Sequence, residues 1–118
     1  MANIMIVDDS KFMRSIIKET LIENNHTIVA ETDNGVDAIT LYNDLHPDIV
    51  TMDITIHGKD GIQTIEDIKK DNPDAKIIVV SALSKKTLQN SSRDLSVTAY
   101  VTKPFKKEDL QNAVNSLI

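Results

Sequence analysis

Three carboxylates stand directly after short apolar segments of this 118-residue sequence. Asp8 and Asp9 follow the segment NIMIV, and Asp53 follows DIVTM. A charge at the end of an apolar strand costs free energy unless a partner group or an ion compensates it. Asp53 is therefore either an ordinary surface residue at the end of its strand or a member of a charged site.

Two further apolar segments also end on polar side chains. Ser81 follows KIIVV, and Lys103 follows TAYVT. Each of these residues has an ordinary explanation by itself: Asp9 would cap a helix, Ser81 would form a turn, and Lys103 would be a solvated loop residue. Because polar groups end four of the five apolar segments, their joint occurrence favours a shared site.

Such a set of groups suits phosphoryl transfer. Neighbouring carboxylates repel each other, and a hard divalent cation such as Mg²⁺, which also binds water and phosphate oxygens, relieves the repulsion. The ammonium of Lys103 and the hydroxyl of Ser81 would bind phosphoryl oxygens. Asp53 would then be an oxygen nucleophile, because carboxylates form acyl phosphates. Positioning and charge neutralisation are the main requirements of this reaction.

The elements that position these groups alternate along the chain. Five runs rich in β-branched residues are predicted strands: 3–7, 27–31, 48–52, 76–80 and 98–102. The run at 27–31 is mixed in polarity and is the expected edge strand. Apolar residues at helical spacing predict helices over 10–24, 35–45, 61–71 and 106–117. A helix over 85–95 is predicted from topology alone, because that segment has few apolar anchors.

Five strand–helix units in succession predict an α/β fold, with a parallel sheet covered by helices on both faces. The carboxyl ends of parallel strands meet at one edge, where ligands bind at a topological switch point. We therefore expect Asp8, Asp9, Asp53, Ser81 and Lys103 to converge on one cleft.

Composition narrows the function classes. The sequence has no cysteine, which excludes thiolate catalysis and cysteine-bound zinc, and its net charge of −5 argues against nucleic acid as the main partner. No segment approaches the length of an apolar membrane span, and the first residues lack the basic start of a secretory signal. We expect one domain over 1–118, a cytoplasmic location and no membrane insertion.

Four motifs in order give the sequence a family resemblance: IMIVDDSKFMR, PDIVTMDI, IIVVSAL and AYVTKPF. Together they resemble the response-regulator receiver domain, and within it the stand-alone chemotaxis regulators of the CheY type. The resemblance covers essentially the whole chain. It implies a flavodoxin-like (βα)5 fold with strand order 2-1-3-4-5 and, since the chain ends at Ile118, no output domain.

The resemblance also implies a role for each site residue. Asp53 would be the phosphoacceptor. Asp9 and Asp53 would bind Mg²⁺, with Mn²⁺ as the alternative ion, through their side chains, and Thr55 would do so through its backbone carbonyl. Asp8 would orient the metal through water.

Further positions match the phosphoryl pocket and the switch of the family. Ser81 would bind the phosphoryl group, and Ala82 would keep the pocket open. Lys103 would be the family's lysine, with a cis bond to Pro104. Tyr100 would be the aromatic switch residue, which turns inward when the hydroxyl of Ser81 moves toward the phosphate.

The sequence departs from the family pattern in the loop after Asp53. His57 stands where the family usually has proline, and Lys59 precedes the Asp60-Gly61 pair. Proline would stiffen the loop that carries the Thr55 carbonyl. We interpret His57 as an exposed loop residue.

The implied function is a phosphorylation-controlled binding switch. A histidine kinase would donate the phosphoryl group, and the new charge would shift an inactive–active equilibrium. A motility protein or another target would bind the face between Lys85 and Ile118, and a phosphatase is a further expected partner. Apart from its own phosphorylation and dephosphorylation, the chain is expected to catalyse nothing.

Three alternatives stay open. A phosphorelay intermediate would pass its phosphoryl group on to a second histidine protein. A haloacid-dehalogenase-like phosphatase also forms an aspartyl phosphate, but its nucleophile lies on the first strand, in a DxDxT pattern. Here the candidate is Asp53 on the third strand, and Thr55 stands where that pattern needs an acid. A purely structural interaction module would not need Ser81 and Lys103 beside the acidic pair.

Overall fold

The computed structural model describes residues 1–54, 60–82 and 99–118. The described strands are β1 Asn3–Val7, β2 Thr27–Thr32, β3 Ile49–Met52, β4 Ile77–Ser81 and β5 Ala99–Thr102. The described helices are α1 Lys11–Glu23, α2 Gly35–Leu45, α3 Gly61–Asp71 and α4 Lys107–Asn115. These nine elements confirm the predicted strands and four of the predicted helices. The helix predicted over 85–95 lies outside the described residues.

All five strands form one parallel sheet in the order β2-β1-β3-β4-β5, which confirms the predicted fold class and strand order. Strands β3 and β4 are buried along their whole length, as central parallel strands covered on both faces must be. The mixed segment β2 is an edge strand, as predicted. From β1 the chain passes to β2 on one side and then to β3 on the other, so the topological switch point lies beside the carboxyl ends of β1 and β3.

The helices cover the two faces of the sheet in pairs. On one face, α2 and α3 bury residues that include Ala38, Tyr42, Ile65 and Ile68. On the other face, α1 and α4 bury residues that include Ile17, Leu21, Leu110 and Val114. Aliphatic side chains fill both layers, as expected for a chain with 3% aromatic residues.

Two helices begin just beyond the strand ends that carry the acidic residues. At the start of α1, the Ser10 hydroxyl accepts a hydrogen bond from the Met13 backbone N–H at 3.1 Å. At the start of α3, Oδ1 of Asp60 accepts one from the Ile62 N–H at 2.7 Å. Both are side-chain caps of helix N-termini, and they mark where each helix begins.

The beginning of α3 packs against the end of β3 at very short range. The Gly61 N–H donates to the Ile54 carbonyl at 3.0 Å. A Cβ atom on Gly61 would lie 2.4 Å from the Ile54 Cα and 2.5 Å from the Asp53 carbonyl oxygen. Only glycine permits this approach, which brings the start of α3 against the backbone of Asp53.

Within the described parts of the chain, no helix has both the length and the apolar character needed to cross a membrane.

Candidate phosphoryl-transfer site

The carboxyl edge of the sheet brings together the three predicted acidic residues. Asp8 and Asp9 follow β1, and Asp53 follows the neighbouring strand β3. One carboxylate oxygen from each residue lies within 4.8 Å of the others. Asp8 and Asp53 are buried, at 1% and 5% exposure, whereas Asp9 is exposed. Two charges are therefore removed from water, and the third carboxylate faces solvent.

Lys103 reaches this cluster from the end of β5. Its Nζ lies 2.8 Å from Oδ2 of Asp8 and 3.3 Å from Oδ2 of Asp53. The ammonium therefore bridges the two buried carboxylates and offsets much of the cost of burying them. The sequence predicted that Lys103 would join the site, but not that its shorter contact would be with Asp8.

Opposing effects act on the pKa of Lys103. Burial lowers its pKa, but the hydrogen bond to Asp8 and the negative charges of Asp53 and Asp8 outweigh burial, so that the pKa is raised. The side chain thus stays an ammonium at neutral pH, as a group that binds anionic oxygens must.

The backbone of the loop after β1 is held at several points. The Asp8 N–H donates to the Thr32 carbonyl at 3.1 Å, and Oδ1 of Asp8 accepts from the Ser10 N–H at 2.9 Å. The Asp8 carbonyl accepts a hydrogen bond from Nη1 of Arg14 at 2.6 Å. Sequence analysis missed Arg14. Its position in the first turn of α1, six residues after Asp8, is the signal that could have found it.

Three further predicted positions lie on or after the last two strands: Ser81 ends β4, Tyr100 is the second residue of β5, and Pro104 follows Lys103. Ser81 is buried at the end of β4, and its carbonyl accepts a hydrogen bond from the Lys103 N–H at 2.8 Å. Tyr100 is half-buried on β5, where it packs against the α2–α3 face and burial raises its pKa. The bond between Lys103 and Pro104 is cis, as the resemblance implied.

Other predicted positions are exposed or lie outside the described residues. Ala82 is described and exposed. Thr55, the predicted carbonyl ligand, lies outside the described residues, together with His57 and Lys59. The structure therefore brings together Asp8, Asp9, Asp53 and Lys103, with Ser81 on the adjacent strand end.

The donor set fits a hard divalent cation. It consists of carboxylate oxygens, two of them on buried side chains, and the exposed Asp9 leaves a side open to water. Mg²⁺ typically binds one or two protein carboxylates and keeps several waters. Asp8, Asp9 and Asp53 would hold such an ion.

Comparison with known proteins agrees with this geometry. Residues 4–115 match the family model described as "Response regulator receiver domain". The chain belongs to the response-regulator receiver family. This confirms the resemblance inferred from the four motifs.

The curated relatives of this receiver include chemotaxis proteins. It is 36% identical to the chemotaxis protein CheY of Bacillus subtilis over 115 residues, which are 98% of this chain and 96% of the relative. It is also 36% identical to CheY of Thermotoga maritima over 114 residues, 97% of this chain and 95% of that protein. The receiver is thus a CheY homologue in two-component signalling.

Solved structures show the same architecture. A complex of CheX, CheY, BeF₃ and Mg²⁺ from Borrelia burgdorferi matches with a TM-score of 0.90 and 28% identity, over 97% of this chain and 87% of that one. The isolated receiver domain of RcsB from Salmonella enterica, in the presence of the phosphomimetic BeF₃⁻, matches with a TM-score of 0.88 and 25% identity, over 98% and 87% of the two chains. The receiver therefore keeps the family fold over nearly its whole length.

Proposed function

We propose that this receiver is a phosphorylation-controlled switch in which Asp53 accepts a phosphoryl group from a histidine kinase. One observation carries the proposal: the buried carboxylate of Asp53 lies beside two further carboxylates and 3.3 Å from the ammonium of Lys103. Buried charge of both signs at a ligand-binding edge is typical of a functional site rather than of a core.

The residues would divide the chemistry among them. A carboxylate oxygen of Asp53 forms a bond to phosphorus as the phosphorus–nitrogen bond of the phosphohistidine breaks and the imidazole leaves. Lys103 stabilises the negative charge on the phosphoryl oxygens, and the Ser81 hydroxyl donates to another of these oxygens. Asp8, Asp9 and Asp53 would hold Mg²⁺, and the proposed carbonyl ligand is Thr55. The bound cation supplies the remaining neutralisation of charge.

Phosphorylation would act by changing the charge balance around Lys103. In the present state this ammonium is divided between Asp8 and Asp53. A phosphoryl group on Asp53 adds negative charge and new acceptor oxygens, which draw the ammonium away from Asp8. Because the Lys103 backbone is hydrogen-bonded to Ser81, such a shift would be felt at the ends of β4 and β5. Tyr100 on β5 is the proposed switch residue.

The proposed output is binding to a protein target in chemotaxis or motility control, through the face between Lys85 and Ile118. The CheY relatives support this role. The Borrelia burgdorferi CheY was solved in complex with CheX, which supports a partner protein, of which a phosphatase is one class. A phosphorelay intermediate is the second candidate, and it would share the whole site. In both roles the receiver catalyses only its own phosphorylation and dephosphorylation.

The test is the intact mass of the protein after incubation with Mg²⁺ and acetyl phosphate. We expect one added phosphoryl group in the wild type, and none in Asp53→Asn or in EDTA. Asp74→Asn, which alters an aspartate on the exposed α3–β4 turn, is the matched control and should be modified like the wild type. A wild type that keeps its original mass would refute the proposal, and multiple-turnover hydrolysis of small phosphoesters would favour a phosphatase instead.

A further inference from the structure

Arg14 links the acidic loop to the edge of the sheet. Its Nη1 donates to the Asp8 carbonyl at 2.6 Å, and its Nε lies 3.5 Å from Oε1 of Glu31 on β2. The Arg14 side chain is largely buried, at 16% exposure. A single guanidinium thus connects α1, β2 and the loop after β1, and its planar fork allows it to make both contacts at once.

The carbonyl that Arg14 binds belongs to a particular peptide unit. The carbonyl of Asp8 and the N–H of Asp9 lie in one rigid plane, since the peptide bond does not rotate freely. The side chains on either side of this plane are the two carboxylates of β1 that the site needs. A rotation of this peptide would therefore move Asp8 and Asp9 relative to each other and to Asp53.

The carbonyl of this peptide is held by a side chain and not by a neighbouring strand. Beyond the last residue of β1, the Asp8 carbonyl has left the ladder of the sheet, and the guanidinium of Arg14 is its partner. Glu31 in turn attracts the guanidinium by its charge at 3.5 Å, without a hydrogen bond to Nε, and has Lys18 as its second cation at 3.1 Å. We propose that Arg14, held by Glu31, is a positioning residue that sets the orientation of the Asp8–Asp9 peptide and hence the affinity of the acidic pocket for Mg²⁺. This inference rests on the proposed metal-assisted function.

Charge and geometry make opposite predictions for this residue. If Arg14 acted only as a nearby positive charge, its removal would strengthen the binding of a cation to the carboxylates. If it positions the peptide, its removal weakens binding, as the loss of outer-shell partners of metal ligands commonly does, by about 10-fold or more. The sign of the change in affinity therefore separates the two explanations.

The experiment is isothermal titration of the full chain with MgCl₂ in metal-free buffer, for wild type, Arg14→Met, Arg14→Lys and Lys18→Met. We expect Arg14→Met to weaken Mg²⁺ binding about 10-fold. Arg14→Lys keeps the charge but not the fork, and we expect it to weaken binding roughly fivefold. Lys18→Met removes the same charge as Arg14→Met, and also a contact with Glu31, but it leaves the Asp8 carbonyl with its partner. We expect its affinity to stay within about twofold of wild type.

A second measurement reports on the peptide itself. In ¹H–¹⁵N spectra without metal, the Asp9 amide resonance should move in both Arg14 variants and stay in place in Lys18→Met. If Arg14→Met is too unstable to titrate, Arg14→Lys carries the test alone. Arg14 variants that bind Mg²⁺ as tightly as Lys18→Met, or more tightly, would overturn the inference. A wild type that does not bind Mg²⁺ would instead count against the proposed function.

Discussion

Polar groups have different surroundings at the carboxyl edge of the sheet, where the strands end, and at the amino edge, where they begin. At the carboxyl edge, Asp8 and Asp53 are buried as charges and share Lys103. At the amino edge, the Ala2 N–H donates to the buried ring of His26 at 3.1 Å, and the Lys76 ammonium donates to the Leu117 carbonyl at 2.7 Å on the surface. At the amino edge, the hydrogen bond of Ala2 joins two uncharged groups, and that of Lys76 is exposed to solvent. The carboxyl edge holds desolvated charge, which costs stability and gives the site its chemistry.

The comparison is sharpest for the two lysines. Each ammonium donates a hydrogen bond at the end of a strand, over 2.8 Å from Lys103 to Asp8 and 2.7 Å from Lys76 to Leu117. The distances are almost equal, but the surroundings are not, because the first contact is partly buried and the second is exposed. The two hydrogen-bond lengths alone would predict equal contributions to stability, whereas the different burial of the two ammonium groups predicts unequal ones.

We therefore expect the largest effect from Lys103→Met. In EDTA at neutral pH, the variant leaves two buried carboxylates without their ammonium and should lose about 3 kcal/mol of unfolding free energy. The matched variant Lys76→Met should lose less than about 1 kcal/mol, because solvent replaces the exposed hydrogen bond. Urea unfolding followed by circular dichroism measures both.

Addition of Mg²⁺ tests the cause of the Lys103 effect. A divalent cation bound to Asp8 and Asp53 would take the place of the missing ammonium, so the deficit of Lys103→Met should shrink as Mg²⁺ is added. The deficit of Lys76→Met should not respond. Equal losses for the two lysine variants in EDTA would contradict the contrast between the edges.

The next largest effect is expected at Gly61, where α3 approaches the carboxyl edge. In Gly61→Ala, the new methyl group would lie within 2.5 Å of backbone atoms of Ile54 and Asp53, neither of which can move away without shifting the strand end. Overpacking of this kind costs about 2 kcal/mol. Urea unfolding should show the loss, and the Mg²⁺ affinity should fall with it because the displaced backbone carries Asp53. A variant as stable as the wild type would show that this contact relaxes freely.

The sequence predicted the larger features of the carboxyl edge. Runs of β-branched residues located the strands, and parallel topology placed Asp8, Asp9, Asp53 and Lys103 at one edge. The order of the strands came from the resemblance of the motifs. These features follow from chain direction and strand position, both of which can be read from a pattern.

The finer contacts could not be predicted in the same way. The choice of Asp8 as the closer partner of Lys103, and the reach of Arg14 back to the Asp8 carbonyl, depend on side-chain placement at the scale of a hydrogen bond. Periodicity locates Arg14 on α1 but does not say what its guanidinium touches. The contact of Gly61 with Ile54 likewise requires the packing of α3 on β3.

Between the two edges, Thr51 offers a smaller test of what a buried polar group costs in free energy. It lies in the middle of β3 at 1% exposure, and among the described residues its hydroxyl has no hydrogen-bond partner. A buried donor without a partner costs about 1–3 kcal/mol, so Thr51→Val, which keeps the side-chain shape, should raise the unfolding free energy by about 1 kcal/mol. Thr20 is the control, since it is buried too but donates to the Ile16 carbonyl at 2.8 Å.

The two threonine variants should therefore differ in sign. Thr20→Val loses a hydrogen bond and should be neutral or less stable than the wild type, whereas Thr51→Val should be more stable. Urea unfolding in EDTA compares them directly. If Thr51→Val were destabilised as much as Thr20→Val, the Thr51 hydroxyl would stabilise the fold, and its burial would not cost free energy.

The smallest expected effect is a pH dependence at the amino edge. Burial, and to a lesser extent the positive charge of the chain's amino terminus, lower the pKa of His26 below its ordinary value of 6.5. Nδ1 of His26 accepts the hydrogen bond from Ala2, so the folded state favours the neutral ring. Below pH 6.5 the unfolded chain binds more protons at this residue than the folded chain does. The contribution of His26 to stability is thus fully present above pH 6.5, declines as the pH falls below that value, and is lost once the pH is below the lowered pKa of the folded state.

His26→Asn should remove this dependence, because asparagine offers an oxygen acceptor to Ala2 but does not titrate. Between pH 7.5 and pH 5.5, the unfolding free energy of the wild type should fall relative to that of the variant by less than about 1 kcal/mol, as measured by urea unfolding. The control is His46→Asn, which changes an exposed histidine at φ 44°, a conformation that asparagine tolerates. That variant should follow the wild type across the same range. If both variants changed the pH dependence equally, the effect would belong to histidine charge in general, and burial at the amino edge would not be its cause.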